Sequence, residues 1–233
     1  MNLLNSNRTK TRTLTAIALF LTGVITSPAA TLAPSSDTYL TEHSSLGGSS
    51  SNHSSDTLLY SIGAASFLSY PLLQFNLTPF SGQTVVGDAT LSLYVDSAFN
   101  LATTRTVTIH EVLTNWAAAT VTYDSFGPAP GVQFGSDVTS SIASLSVGGA
   151  GMVPQYVSWT IPGAVIQNWI ANPDLNKGLL VNNQVGQDLN FTSVEGANDP
   201  QLVFTVPEPS TMLFGAIGLC AFALRRNRNT RSA

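Results

Sequence analysis

Aromatic side chains beside polar turns are the residues of this chain best suited to binding chemistry. Trp116 and Tyr123 stand in a segment rich in Ala, Thr, Ser and Pro. An exposed aromatic ring can stack against the C–H face of a sugar, and neighbouring polar groups can bind the sugar hydroxyls. We therefore predict Trp116 and Tyr123 as sugar-contacting residues, with Phe126 and Tyr156 as further exposed candidates.

Carboxylates in or beside predicted loops form a second group with chemical potential. Asp37, Glu195 and Asp199 belong to this group. Calcium takes its oxygen ligands from carboxylates and backbone carbonyls, so these three residues are candidate ligands of a structural calcium ion. The sequence has no EF-hand loop pattern, and it makes no cofactor certain.

Catalytic motifs are missing from the sequence. It contains neither a Gly-x-Ser-x-Gly nucleophile elbow nor an H-E-x-x-H zinc motif. A glycoside hydrolase would pair carboxylates such as Glu111, Asp124 and Glu195, although a strand glutamate more commonly pairs with a base such as Arg105. The histidines are too scattered for a metal site and are expected to be exposed: His43, His53 and His110. We therefore predict no enzyme activity and no catalytic residue.

The charges are few and unevenly distributed. Charged residues make up 9% of the chain, and residues 31–206 carry two bases against twelve acids, a net charge of −10. Such a domain repels phosphate backbones, which excludes nucleic acid as a partner. Cys220 is the only cysteine, so the central domain has neither a disulfide nor a thiol nucleophile.

Residues 1–29 have the three parts of a secretory signal peptide. Arg8, Lys10 and Arg12 give a basic start, residues 14–25 form an apolar run, and small residues precede a cleavage point after residue 29. An apolar helix of this length spans about 18 Å, too short for a membrane core about 30 Å thick. The chain is therefore expected to be exported.

The C-terminal part combines a short apolar stretch with a basic end. Residues 212–224 are apolar, and residues 225–233 are rich in arginine. The apolar stretch predicts a membrane helix, and the basic end is expected to stay on the cytoplasmic side. The preceding domain would then face outward, at the cell envelope, the cell surface or the extracellular matrix, with transient or permanent anchorage.

A proline-rich motif stands directly before this stretch, at Pro207, Glu208 and Pro209. The two prolines prevent a helix or strand through the motif and leave it extended. Motif, apolar segment and arginine cluster together resemble the PEP-CTERM sorting signal, over residues 207–233. The resemblance implies that an exosortase, a membrane-embedded transpeptidase of Gram-negative bacteria, is a partner.

Residues 30–206 have the pattern of one all-β domain. Alternating and β-branched runs between turn residues predict strands at residues 37–41, 57–62, 67–77, 89–95, 105–113, 120–123, 137–147, 156–161, 178–182, 189–194 and 202–206. Many short strands of this kind favour an antiparallel jelly roll or β-sandwich. Residues 162–171 predict one short helix that caps an end of the sandwich, and Trp159 and Trp169 are expected in the core.

Several passages of residues 37–206 follow one another in the order of a known family. They are Asp37-Thr-Tyr-Leu, Leu72-Leu-Gln-Phe-Asn-Leu with VVGDATLSLYV after it, Trp116 with Val121-Thr-Tyr, Trp159-Thr-Ile and Phe191-Thr-Ser-Val-Glu. Together they resemble the DNRLRE family of secreted β-sandwich domains. Gln74, Asn76 and Tyr123 depart from the Arg, Asp and second Trp of that pattern. The resemblance implies a β-sandwich and, for some members, binding of acidic polysaccharides such as alginate.

These observations favour a non-catalytic exported surface or matrix protein with a role in adhesion or in biofilm or envelope structure. A carbohydrate-binding module is the alternative function, and a polysaccharide-active enzyme is the third. Expected partners are exosortase, a polysaccharide, and the membrane through the C-terminal helix before processing. The charge of −10 favours a neutral glycan, because the domain repels an anionic one unless calcium bridges the charges.

Overall fold

The computed structural model describes residues 29–98, 102–150, 152–184, 186 and 188–207. The predicted signal peptide, apart from its last residue, lies outside this range. So do Glu208, Pro209 and the predicted C-terminal membrane helix. Within the described residues, no helix is long and apolar enough to cross a membrane.

Two antiparallel sheets pack face to face. Sheet I contains β1 (Ala29–Leu32), β3 (Leu58–Ser61), β5 (Val86–Ala98), β8 (Gln155–Ile161), β10 (Leu189–Thr192) and β11 (Gln201–Thr205). Sheet II contains β2 (Ser36–Thr41), β4 (Ser69–Gln74), β6 (Arg105–Glu111), β7 (Ala143–Val147) and β9 (Leu179–Asn183), in the order β2-β4-β9-β6-β7. The predicted β-sandwich is therefore confirmed.

Strand β5 is the long axis of sheet I. Strand β8 pairs with it over residues 89–95, whereas β11 pairs over residues 86–92 and β10 over residues 95–98. Ser92 and Val95 each have one partner in β8 and a second in β11 or β10. Because a strand has two edges, β10 and β11 must lie end to end along the edge opposite β8.

The two sheets differ in what covers their outer faces. In β5, buried and exposed residues alternate, with Leu91 and Leu93 buried and Thr90 exposed, as expected for a sheet with one solvated face. In β2 and β4 most residues are buried on both faces. Residues 112–139 cover the outer face of sheet II and enclose a second apolar cluster that includes Phe126 and Leu72.

One α-helix, α1 (Gly163–Ala171), closes part of the main core as predicted. Ile166, Trp169 and Ile170 are buried in that core, and Trp159 is buried beside them, which confirms both tryptophan assignments. Gly163 sits so close to Gly87 that a methyl group there would lie 1.9 Å from the Gly87 carbonyl oxygen.

Two strand predictions are wrong. Residues 120–123 form a turn that leads into a 3-10 helix, Tyr123–Ser125, with Thr122 and Ser125 as a reciprocal capping box. Only Ala143–Val147 of the predicted strand at 137–147 is a strand. Both segments have irregular backbone that packs onto sheet II, where the β-branched Val121 and Val138 are buried. A strand at Ala29–Leu32 was not predicted.

Candidate functional site

A groove of about 430 Å³ opens where β2, β3 and the β3–β4 connection meet. Its apolar and aromatic walls come from His43, Leu46, Tyr60, Ile62 and Phe67, and its polar groups from Ser45 and Asp188. Strand β3 is at the end of the sheet I order and β2 at the end of the sheet II order. The groove therefore forms between two sheet edges that no further described strand covers.

Phe67 and His43 present their rings on one wall of the groove. Phe67 is 46% exposed, and its ring centroid lies 4.6 Å from that of His43 at an interplanar angle of 50°. The His43 ring is held because its Nδ1 accepts a hydrogen bond from the Ser45 backbone N–H at 3.1 Å, at the start of the 3-10 helix Ser44–Leu46.

The backbone that carries Phe67 is strained. Ser66, directly before it, has φ 68°, in the left-handed region that costs a residue with a side chain roughly 1–2 kcal/mol. Such conformations concentrate at functional sites, where the surrounding structure maintains them. The strained turn sets the direction in which the Phe67 side chain projects from the backbone.

A close backbone contact fixes the β3–β4 connection beside the groove. A methyl group on Gly63 would lie 2.0 Å from the carbonyl oxygen of Asn183, and the Gly63 N–H donates to the Gly186 carbonyl oxygen at 3.2 Å. The Ser69 hydroxyl donates to the Tyr60 carbonyl oxygen at 2.8 Å. The connection between β3 and β4 is therefore anchored at both of its ends.

The polar side of the groove combines a carboxylate with a nearby guanidinium. Asp188 lines it, and the buried Arg105 guanidinium lies within electrostatic range of Asp188. Burial lowers the pKa of Arg105, and the Asp188 charge opposes that shift. Among the described lining residues, Asp188 supplies the carboxylate and His43 the imidazole.

The Ser-rich segment 44–55 is ordered by specific contacts. The Asn52 amide donates to the carbonyl oxygens of Ala118 and Val121 at 2.6 and 2.7 Å. The His53 ring stacks on Tyr39 at 4.1 Å, and both side chains hydrogen-bond to Asp56. The segment therefore supplies a fixed support for the groove.

The expectation of exposed histidines is wrong for two of the three. His53 is buried against Tyr39. His110 is buried between the Thr108 hydroxyl and the Thr139 carbonyl oxygen, at 2.9 Å from each, and burial lowers its pKa. Buried imidazoles that satisfy neighbouring polar groups are structural here, and His43 is the histidine at the groove.

The two predicted sugar-contacting residues lie in the layer over sheet II. Trp116 is half-buried against the second cluster, and its Nε1 donates to the Lys177 carbonyl oxygen at 2.7 Å. Tyr123 packs on the same cluster, and burial together with the Glu42 carboxylate raises its pKa. Neither lines the groove, although Glu42 directly precedes His43.

The two further aromatic candidates, Phe126 and Tyr156, differ in their exposure to solvent. Phe126 is fully buried, so the prediction that it is exposed is wrong. Tyr156 is 39% exposed, packs edge-on to Tyr94 at 5.2 Å, and donates to the Asp199 carbonyl oxygen at 3.3 Å. It lies on the outer face of sheet I, outside the groove.

The structure brings the three predicted calcium ligands near one another. Asp37 is 2% exposed and accepts a hydrogen bond from the Val194 N–H at 3.0 Å. Burial raises the pKa of Asp37 to about 7, and a hydrogen bond with Glu195 and the charge of Asp199 add to the rise. No group of three side chains positioned to hold a metal occurs among the residues that the structure describes, so calcium there stays a prediction.

The three carboxylates that a glycoside hydrolase would pair contact different neighbours. Burial raises the pKa of Glu111, which hydrogen-bonds the Trp169 side chain. Asp124 accepts from the Ser49 hydroxyl at 2.8 Å, whereas Glu195 contacts Asp37. The groove contains none of the three.

A concave site with exposed aromatic rings, such as this groove at the rim of the β-sandwich, is a common form of ligand-binding site. The model of carbohydrate-binding module family 96 matches residues 28–206, most of the chain, so the chain belongs to that family. The family found for the domain is therefore carbohydrate-binding module family 96, rather than the DNRLRE family that its sequence passages resemble. The PEP-CTERM protein-sorting motif matches residues 205–228 and confirms the sorting signal. No curated protein matches the chain at significant similarity.

Proposed function

We propose that the chain is a non-catalytic surface protein that binds a neutral polysaccharide in the groove formed by His43, Tyr60 and Phe67. The observation that carries the proposal is the half-exposed Phe67 ring beside His43, inside a concave site. Rings of this kind take the C–H face of a sugar, and Ser45 and Asp188 offer hydrogen-bonding groups to its hydroxyls.

Charge favours a neutral ligand. The groove presents the Asp188 carboxylate, and the domain around it carries twelve acids and two bases. One of these bases, Arg105, is buried. An anionic polysaccharide would therefore meet repulsion from the domain as a whole.

Delivery to the surface follows from the sorting motif. The proposal assigns cleavage near Pro207, Glu208 and Pro209 to an exosortase, after residues 1–29 direct export and while residues 212–224 hold the chain in the membrane. The family and the motif support an exported binding protein. Adhesion to a glycan or cross-linking of an extracellular matrix is the role that such a protein would have.

The test is calorimetry on purified residues 28–206 with neutral glycans (cellulose, xylan and mannan fragments) and anionic ones (alginate and pectate), with and without calcium. We expect saturable binding to a neutral glycan without calcium. Binding of alginate alone, in the presence of calcium, would reverse the assignment of ligand class. No binding to any glycan would leave a surface protein without a sugar ligand.

The sequence-based alternative is tested in the same experiment. Trp116→Ala and Tyr123→Ala remove the two aromatic residues first predicted to contact sugar. We expect both variants to keep the wild-type dissociation constant, because neither side chain lines the groove. Loss of binding in these variants and not in Phe67→Ala would place the site over sheet II.

A further inference from the structure

Both described ends of the chain lie at the same end of sheet I. Ala29 pairs with Thr205, and Thr205 pairs with Val86 at the start of β5. The sorting motif begins at residue 205. The chain therefore enters the domain and leaves it toward the sorting tail at one place, the tail end, defined by Ala29, Val86 and Thr205.

The groove lies at the other end of the same strand. Leu189 pairs with Ala98 at the finish of β5 and with Ser61 of β3. The groove residues Asp188 and Ile62 directly adjoin Leu189 and Ser61. This region is the groove end.

The separation of the two ends is set by β5. Val86 and Ala98 are the first and last residues of this strand of 13 residues. At about 3.3 Å per residue, the strand separates them by roughly 40 Å. Because β10 and β11 lie end to end on one edge of β5, the exit of the chain and the groove are on opposite sides of the domain.

The tail end must stay close to the surface that retains the chain. Only a few residues separate Thr205 from the apolar stretch at 212–224, and a fully extended chain covers at most about 3.6 Å per residue. Before exosortase cleavage, the apolar stretch holds the tail end within roughly 25 Å of the membrane surface. After cleavage, the transpeptidase would join the chain to its acceptor at the same motif, so the tail end remains the attached end. The groove end, roughly 40 Å away along β5, can then reach farther from the membrane than the tail end can.

We propose that the tethered protein presents its groove away from the cell and binds a polysaccharide in its surroundings, not the glycan of the envelope that carries it. The proposal rests on the proposed sugar-binding function of the groove. It adds the direction of binding: the domain acts between the cell and an external surface.

Cysteine labelling on intact cells tests this direction. The full chain is exported in a Cys220→Ala background, which removes the only cysteine and is first checked for wild-type sorting. Ser44→Cys then places a thiol at the groove end, and Thr84→Cys places one near Val86 at the tail end. Both positions are exposed. Each variant is labelled with a small maleimide and with a maleimide on a bulky polyethylene glycol chain.

We expect the bulky reagent to label Ser44→Cys as well as the small reagent does, and to label Thr84→Cys several-fold less on cells. After the domain is freed by detergent, the two reagents should label both variants equally. Equal shielding at both positions, or stronger shielding at Ser44→Cys, would overturn the proposal. Release of the domain into the medium would also overturn it, because no tether would then orient the groove.

A second readout separates this proposal from the function on which it rests. Beads coated with the neutral glycan that binds the purified domain should be captured by cells displaying the wild-type chain, and Phe67→Ala should abolish capture. If the purified domain binds glycan but cells capture no beads, the outward direction is wrong. If the purified domain binds no glycan while the labelling pattern holds, the proposed ligand is wrong and the orientation stands.

Discussion

Two half-exposed phenylalanines show what distinguishes a binding residue from a packing residue in this domain. Phe67 is 46% exposed and Phe134 is 47% exposed. Phe67 lines a groove beside the His43 ring and near Asp188. Phe134 covers the outer face of sheet II, with ring centroids 6.0 Å from Tyr70 and 5.1 Å from His110. Concavity and polar neighbours, not exposure, mark the candidate site.

The same contrast holds for the regions around the two residues. The groove is built from short connections with strained or close-packed backbone, at Ser66 and Gly63. The layer formed by residues 112–139 instead closes a second apolar core over sheet II. Substitutions in the groove should therefore affect binding, and substitutions in the layer should affect stability.

The largest effect is expected in the layer. Phe126 is fully buried in the second cluster, so Phe126→Ala should lower the free energy of unfolding by about 3–5 kcal/mol. Urea denaturation followed by tryptophan fluorescence measures the change. The fraction that remains folded should bind glycan with wild-type affinity, and a parallel loss of affinity would show that layer and groove are coupled.

The pH dependence of stability is expected to come next in size. Since burial raises the pKa of Asp37 to about 7, the folded domain retains a proton that the unfolded chain has already lost above its usual pKa near 4. The free energy of unfolding should therefore fall by roughly 1–4 kcal/mol as the pH rises from 4 through 7, and level off above.

The matched variant for this effect is Asp37→Asn. Its amide oxygen can still accept the hydrogen bond from the Val194 N–H, but it cannot ionise. The variant should lose much of the pH dependence and be more stable than wild type at pH 8. Glycan affinity should not follow the titration, because Asp37 does not line the groove. An unchanged pH dependence in the variant would contradict the assignment of this titration to the Asp37 carboxyl.

A smaller effect that combines stability and binding is expected at Gly63. Gly63→Ala places a methyl group 2.0 Å from a backbone oxygen, so the β3–β4 connection must shift. We expect a loss of roughly 1–3 kcal/mol in stability and weaker glycan binding. Gly48→Ala is the control for the neighbouring loop: its methyl group would meet no atom within 4 Å, although its φ of 81° carries a strain of its own.

The smallest expected effect on binding is that of Trp116→Ala. The Trp116 ring packs on the second cluster and donates to Lys177, so its loss should cost roughly 1–3 kcal/mol of stability. Calorimetry should give an unchanged dissociation constant. A strongly weakened complex in a fully folded variant would restore the sequence-based prediction of the site.

Much of the fold could be predicted because one side of sheet I remains solvated. The alternation in β5 and the apolar face of α1 are visible in the sequence, and both are confirmed. The covering of the outer face of sheet II could not be predicted, because the layer that buries this face is irregular backbone. Val121 and Val138 in that layer are β-branched, as strand residues often are. Local patterns distinguish a strand from a covering loop poorly when both are apolar.

The candidate site was harder to predict for a related reason. Residue type and polar neighbours favour Trp116 and Tyr123, but the exposure of these two side chains depends on the layer that folds around them. The sequence pattern places Phe67 in a strand at residues 67–77, whereas β4 begins only at Ser69. The groove brings together residues from three separate segments, and a single sequence gives no measure of which distant segments meet.

The most direct test of the account is a comparison of Phe67→Ala with Phe134→Ala, two equal truncations at equal exposure. The dissociation constant of each purified variant for the neutral glycan is measured by calorimetry, after urea denaturation confirms that both are folded. The account predicts at least a tenfold loss of affinity for Phe67→Ala, equivalent to about 1.4 kcal/mol, and wild-type affinity for Phe134→Ala. Retained binding in Phe67→Ala, or an equal loss in both variants, would contradict the groove as the sugar-binding site.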